Sequence, residues 1–337
     1  MERVLVAGGA GFLGSNLCFE LNKLGIDFAI IDDFKNAYKS NINRLKNGLN
    51  IDFDWYEGDV VDLDFLDKVF HDYKPTMIVH YAHKKYIPES IDNSLDYYKN
   101  NLVSTLNLLE MAKKYSVNKF LFASSVTVYD EKIDKLIETD ERKFTSPYVK
   151  TKIMCEEIIT DFQQNNPDFC SIILRYTNPV GANTECYLGD RPKAGQKNVL
   201  PYLVDTVNKG EDIVINGGAF PTKDGSAVRD FIHVSDLAYI TAKLLENITE
   251  SGNYLFNVGT GSDGFSIKEI VETLQTTLNK KLEVKFNQNP DSRFAKILVN
   301  TNKLNNFINI DIKYSLEDIV SSQINLKQEG ELDIDNE

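Results

Sequence analysis

The sequence predicts an α/β fold, a doubly wound parallel sheet followed by a smaller mixed α/β C-terminal lobe. Short apolar runs at 4–7, 28–31, 52–56, 77–81, 119–123 and 170–174 alternate with stretches of helical periodicity. That alternation is the pattern of a parallel sheet with helices on both faces. The first run opens into a glycine-rich turn, and after about residue 180 the regular alternation stops. Residues 1–180 are therefore expected to bind a nucleotide, with a return segment near 228–245. Residues 181–330 are expected to form a discontinuous substrate lobe, and 331–337 a frayed tail whose polar, acidic character begins at Lys327.

The first unit reads Val4-Leu-Val-Ala-Gly-Gly-Ala-Gly-Phe-Leu-Gly14. A strand enters Gly8, Gly11 and Gly14, and a helix is expected from Phe12 to about Lys23. Glycines let the backbone approach a pyrophosphate, and the helix N-terminus offers free N–H groups and positive dipole. The second strand, Phe28–Ile31, ends in Asp32-Asp33. An acid there accepts from a ribose 2′-hydroxyl and repels a 2′-phosphate, which favours NAD over NADP. A second match, Gly259-Thr-Gly261-Ser-Asp-Gly264, also lies between a strand (254–258) and a helix. Its helix opens at Ser266 with Glu269 three residues on, a capping box that satisfies its own N-terminus and would repel phosphate. The second loop reads as a structural turn.

The next units carry helices over Leu95–Lys114 and Tyr148–Gln163. The strand Phe120–Ala123 runs out to Ser125, and Ser146-Pro147 opens the helix that begins with Tyr148. Lys152 lies one turn further on the same face. Tyr-x-x-x-Lys occurs four times in the chain, so spacing alone carries little weight. Only Tyr148 stands at a helix start with a serine at a strand's carboxyl end before it. A nearby ammonium favours the phenolate, so Lys152 is expected to lower the Tyr148 pKa and make it a base for a sugar or alcohol hydroxyl. In the later lobe, a helix over Pro201–Lys209 and strands at 213–215 and 282–286 are expected.

Composition narrows the function. The 337 residues carry 42% hydrophobic and 26% charged side chains and a net charge of −13, which argues against a nucleic-acid surface. No run approaches the ~18 apolar residues of a membrane span, and no signal peptide is expected before the strand at Val4. The four cysteines lack metal spacing and read as reduced thiols of a cytoplasmic protein without structural zinc.

Five stretches, 4–14, Tyr97-Tyr-Lys-Asn-Asn101, Ser124-Ser-Val-Thr-Val-Tyr129, Leu174-Arg-Tyr-Thr-Asn-Pro-Val-Gly-Ala182 and Val228-Arg-Asp-Phe-Ile-His-Val-Ser-Asp-Leu-Ala238, carry a family resemblance. From Arg3 to about Val320 the chain resembles the extended short-chain dehydrogenases/reductases of the NAD-dependent epimerase/dehydratase family, which have a Rossmann domain, and most of all the UDP-glucose 4-epimerases. The resemblance implies that Phe12 and Leu13 lie in the pyrophosphate turn and that Asp32 holds the adenosine ribose. It places Asp59 and Val60 at the adenine, Tyr81 and Lys85 along the cofactor, and Asn100, Ser125 and Thr177 near the nicotinamide half. Lys152 would hold the nicotinamide ribose as well as tune Tyr148. Asn178, Asn198 and Arg229 match UDP-sugar positions, although a surface ion pair with Asp230 would also explain Arg229.

The activity implied is C4 epimerisation of UDP-hexoses through a transient 4-keto sugar, with NAD as a bound prosthetic group and a homodimer paired through the helices 95–114 and 148–163. Alternatives are an NADH-dependent reductase or epimerase acting on another nucleotide sugar, and a non-enzymatic NAD-binding regulator, which commonly loses the tyrosine or lysine retained here. Val126-Thr127 after Ser125 offers no carboxylate, which argues against a 4,6-dehydratase, and the missing glutamate argues against a uronate decarboxylase. Several positions depart from the pattern. His83 stands where glycine or alanine is common, Asp130 replaces a glycine, and Thr177 replaces a phenylalanine. Pro290-Asp-Ser-Arg293 lacks the usual arginine in register, so Arg293 is the candidate replacement. Ile297 falls near the residue that bounds the sugar's 2-substituent, which suggests that N-acetylhexosamines are accepted in part.

Overall fold

The computed structural model describes residues 2–130, 134–193, 198–287 and 294–330, with the side chains of Asn216 and 327–330 left aside. Six strands, β1 (Arg3–Ala7), β2 (Asp27–Asp32), β3 (Trp55–Glu57), β4 (Met77–His80), β5 (Lys119–Ser125) and β6 (Cys170–Tyr176), pair in parallel in the order 3-2-1-4-5-6. The strand Gly252–Val258 adds a seventh at the β6 edge. Helices α1 (Phe12–Lys23), α2 (Ser40–Leu49), α3 (Leu63–Tyr73), α4 (Ile87–Asp92), α5 (Ser94–Lys114) and α6 (Pro147–Asn165) connect them. β1, β4 and β6 are buried on both faces almost throughout, as a sheet covered by helices on each side requires. Order reverses between β1 and β4, the switch point beside which ligands bind in open α/β sheets.

The chain divides into two compact units. The first comprises residues 1–130, 139–176 and 238–256, and its core joins Leu5, Ile31, Phe70, Ile78, Leu108, Phe120, Ile159 and Ile173 across the sheet. The second comprises 131–138, 177–237 and 257–337, with a core of Leu203, Val207, Ile215, Phe231, Val271, Leu274 and Val320. Its helices include Val199–Lys209 and Ile267–Leu278, and its short strands include the parallel pair Ile213–Asn216 and Val284–Asn287. From Lys327, where the polar tail was expected to begin, a helix continues to Gly330, and residues 331–337 lie outside the described residues.

The second glycine loop is a structural turn. The Asp230 carboxylate accepts from Thr260 N at 3.0 Å, Thr260 Oγ1 at 2.6 Å and Gly261 N at 3.2 Å, so these loop amides already serve a carboxylate. The expected capping box is present at Ser266 and Glu269.

Candidate active site

The geometry of the first glycine loop fits the pyrophosphate expected there. Gly8 takes a positive φ of 79°, and a Cβ on it would lie 2.8 Å from Ala82 N. A Cβ on Gly14 would lie 2.3 Å from Gly8 O, so only glycine lets α1 pack this closely against the turn. The N-cap of α1 is Gly11, with no side-chain cap and no acid in the first turn. Phe12 and Leu13 therefore open a helix whose N-terminus suits an anion. Asp32 at the end of β2 braces this loop, its Oδ2 accepting from Ala10 N at 3.0 Å and its Oδ1 from Phe34 N at 2.9 Å. Asp59 accepts from Lys35 Nζ at 2.7 Å and from Val61 N at 3.0 Å, and Val60 beside it is buried.

The expected catalytic side chains stand at the carboxyl end of β5 and in the first turns of α6. Ser146 caps α6, its Oγ accepting from Val149 N at 3.3 Å, and Pro147 occupies the first turn. Tyr148 then falls opposite Ser125. Ser125 Oγ accepts from Thr127 Oγ1 at 2.9 Å and from Thr127 N at 3.2 Å. A hydroxyl has two acceptor lone pairs and one proton. With the lone pairs filled by Thr127, the Ser125 hydroxyl keeps its proton to give, and it acts on the Tyr148 phenol in the direction that favours the phenolate. Thr127 is thus a site residue the sequence reading passed over except as a non-carboxylate.

Burial pushes the Tyr148 phenol up to about 12, and the Ser125 hydrogen bond pulls in the opposite direction. The lowering expected from Lys152 does not overcome burial. The physical reason is where the ammonium points. Lys152 Nζ donates to Ala123 O at 2.6 Å, lies 3.2 Å from His83 Nδ1, and stands 5.9 Å from the Tyr148 ring centroid. Burial brings Lys152 down to about 8, with Cys155 and Glu156 opposing. An ammonium has three N–H donors; two are directed to Ala123 and His83, which leaves one for a ribose hydroxyl. The glycine cradle, the uncapped helix start and this third donor fit NAD.

Other expected cofactor residues differ in their engagement. The Tyr81 hydroxyl lies 3.0 Å from that of Tyr176, which in turn lies 3.0 Å from Thr241 Oγ1, so the phenol is tied into the first unit's interior. Lys85 is exposed, and Asn100 is half-buried on α5. Asn101 makes more of the local structure. It accepts from Lys84 N at 2.9 Å and donates to Lys84 O at 3.1 Å and Thr151 Oγ1 at 3.0 Å, clamping the loop after β4 to α5 and α6. No sequence signal separated it from its neighbour.

Of the expected substrate residues, Ser125 and Tyr148 belong to the first unit, and Asn178, Asn198, Arg229 and Ile297 lie in the second. Asn178 opens a short strand paired in register with Phe231, and Asn198 donates to Asp190 Oδ2 at 2.5 Å. Arg229 is largely buried and donates to Val228 O at 2.7 Å and Phe294 O at 3.0 Å; desolvation brings its guanidinium down to about 10. Ile297 pairs with Arg229 across two short parallel strands. Thr177 Oγ1 is buried with no hydrogen-bond partner among the described residues. Arg293 and the altered segment 290–293 lie outside the described residues.

Residues 4–259 match the NAD dependent epimerase/dehydratase family. The chain belongs to that family. Among relatives of this epimerase/dehydratase, the UDP-glucose 4-epimerase of Bacillus subtilis (strain 168) is 34% identical over 319 residues, 94% of each chain. The crystal structure of UDP-glucose 4-epimerase from Bifidobacterium longum in complex with NAD+ and UDP superposes with a TM-score of 0.92 at 30% identity, covering 98% of this chain and 99% of that one. The UDP-Glc/GlcNAc 4-epimerase from Campylobacter jejuni gives a TM-score of 0.83 at 32% identity, covering 98% and 100%. No helix among the described residues is long and apolar enough to cross a membrane.

Proposed function

We propose that this protein is an isomerase, a 4-epimerase that interconverts UDP-glucose and UDP-galactose with NAD as a bound prosthetic group. The observation that carries the reading is the Tyr148 phenol at the start of α6, with Ser125 at the end of β5 acting on it and Lys152 Nζ 5.9 Å from its ring, at the carboxyl ends of a doubly wound sheet that also carries an uncapped glycine turn. Gly8, Gly11, Phe12, Leu13, Gly14, Asp32, Asp59 and Val60 hold the adenosine diphosphate half of the cofactor, and Tyr81, Lys85, Asn100, Lys152 and Thr177 the nicotinamide half. NAD supplies the hydride acceptor and donor at the sugar's C4.

The chain's own residues handle the proton. Tyr148 takes it from the 4-hydroxyl as a phenolate and returns it from the phenol. Ser125, oriented by Thr127, hydrogen-bonds the same oxygen. Lys152 is the positive charge within reach to stabilise the phenolate, which a phenol raised to about 12 needs. Asn178, Asn198, Arg229 and Arg293 hold the UDP. Ile297 bounds the sugar's 2-substituent and admits N-acetylhexosamines in part.

Anomeric proton NMR of UDP-glucose, and separately UDP-N-acetylglucosamine, with purified protein and no added cofactor tests the reading. Growth of the galacto signal is expected with UDP-glucose, and slower growth with the N-acetyl sugar. Turnover only when NADH is added, on a 4-keto nucleotide sugar, would replace the epimerase with a reductase.

Two properties of the whole protein follow from the same reading. All four cysteines are free and buried, which supports a reducing, cytoplasmic setting. Leu95 is 73% exposed and Leu106 48% exposed on α5, and Met154 is 38% exposed on α6, which supports a homodimer through these helices. Sedimentation velocity on the intact protein should give twice the mass of the chain; a monomer at micromolar concentration would remove the dimer.

A further inference from the structure

A polar cluster that the proposed reaction does not itself use surrounds the Lys152 ammonium. His83 follows β4, and its Nδ1 lies 3.2 Å from Lys152 Nζ while its Nε2 lies 3.1 Å from Thr105 Oγ1. An ammonium only donates, so Nδ1 is the acceptor and the ring proton is on Nε2. Nε2–H then donates to Thr105, whose own hydroxyl donates to the Asn101 carbonyl at 3.0 Å. The ring is also packed on two sides. Phe122 meets it edge-on at 5.2 Å between centroids, and His80 does so at 4.4 Å. Lys152 is drawn the other way by Ala123 O at 2.6 Å, so two acceptors fix the ammonium.

We propose that His83, as the neutral imidazole protonated on Nε2, is a positioning residue that holds the Lys152 ammonium for the epimerisation. This rests on the function proposed above. Its value lies in being an acceptor without charge. A carboxylate in its place would hold the lysine as firmly but cancel its field at Tyr148. A neutral nitrogen fixes the cation and leaves its full charge in place.

The titratable groups around the pair are His80 from the end of β4 and Tyr148, Cys155 and Glu156 from α6. Burial above all, then the charges of Lys152 and His80, keeps the His83 ring neutral well below the ordinary histidine range. Cys155 and Glu156 act on Lys152 in the direction that favours its ammonium, opposing burial.

Two measurements test the proposal. The chain holds four histidines, so long-range proton–nitrogen correlation of the imidazoles in the uniformly labelled full-length protein is assignable with the variants H83N and H80N. His83 is expected as the Nε2–H tautomer throughout pH 5.5 to 8.5. A ring protonated on Nδ1, or an imidazolium at pH 7, overturns the proposal.

In the epimerase assay, H83L removes the acceptor while keeping the site dry. The Lys152 limb of the kcat/KM profile should then move down by about one pH unit. The value of kcat should fall on the order of tenfold with KM for UDP-glucose little changed. H83N, whose Oδ1 takes the place of Nδ1, should keep the wild-type limb. An H83L profile that superimposes on wild type also overturns the proposal. If the wild-type protein does not epimerise at all, the functional reading fails on its own, and the imidazole spectrum still decides the role of His83.

Discussion

Burial holds Tyr148 in its ordinary neutral form and sets Lys152 against its ordinary charge. Burial favours the neutral phenol, raised to about 12, and the neutral amine, lowered to about 8, because a charged group loses its hydration there. The phenol is therefore ready as the acid that returns a proton, and the base needs positive charge brought to it. This division makes Tyr148 the single residue on which the proton chemistry depends. In the NMR assay, Y148F should lose on the order of 10²–10⁴ in kcat, the range for a positioned acid–base group. A variant that kept most of the rate would transfer the role to another hydroxyl, Ser125 first. The placement of Ser125 and Tyr148 was legible in the sequence, because a serine ending a strand and a tyrosine opening a helix share the carboxyl edge of a sheet. The direction of Lys152 was not. It depends on His83, 69 residues away in sequence, and on a backbone carbonyl, neither of which the Tyr-x-x-x-Lys spacing reports.

At the scale of elements, α6 is joined to the sheet by a buried ion cluster. Glu156 accepts from Arg175 Nε on β6 at 2.9 Å and from Arg175 NH2 at 2.6 Å, from Arg142 at 3.2 Å, and from Ser124 on β5. This fixes the turn after Lys152 relative to the strands that carry Ser125. Removing one partner of such a pair leaves an uncompensated buried charge. E156L should therefore cost about 3–5 kcal/mol in urea unfolding, and E156L/R175M should recover most of it. Equal losses in the single and double variants would mean that packing, not charge, holds the joint.

Local signals served the elements well where the structure is locally determined. The helix expected from Phe12 to Lys23 has those bounds, and the capped start at Ser146 and Ser266 followed from side chains adjacent in sequence. Pairing is not local. The run at 52–56 becomes a strand only at Trp55–Glu57, where β2 offers partners from Ile30 to Asp32. The run before the second glycine loop turned out to complete the main sheet at the β6 edge, which no periodicity could show.

For the molecule as a whole, two buried histidines and the half-buried His83 tie stability to pH. Burial lowers His233 to about 4 and puts His80 and His83 well below the ordinary 6.5. Between those values the unfolded chain binds protons that the folded chain refuses. By linkage, stability then rises with pH across the window and is lost as pH falls from about 6.5 toward 4. Burial raises Asp230 and Asp236 above 3.8, and these act with the opposite sign: their contribution is present at low pH and lost as pH rises through the folded values. They offset the histidines only toward the acid end, so the upper part of the window belongs to the imidazoles.

His233 can be isolated because an asparagine side chain at this position would still accept the hydrogen bond that Ser235 N gives to Nδ1 at 3.1 Å. H233N loses the stack on Tyr314 at 4.0 Å and should be less stable at pH 7. It should nevertheless lose less on acidification. His233 is 2% exposed, so it accounts for about 2 kcal/mol between pH 6.5 and 5 at about 1.4 kcal/mol per unit. Urea midpoints measured across that interval decide the matter. Parallel slopes for wild type and H233N would show that His233 is protonated in the folded protein, and that the acid sensitivity lies with His80 and His83 alone.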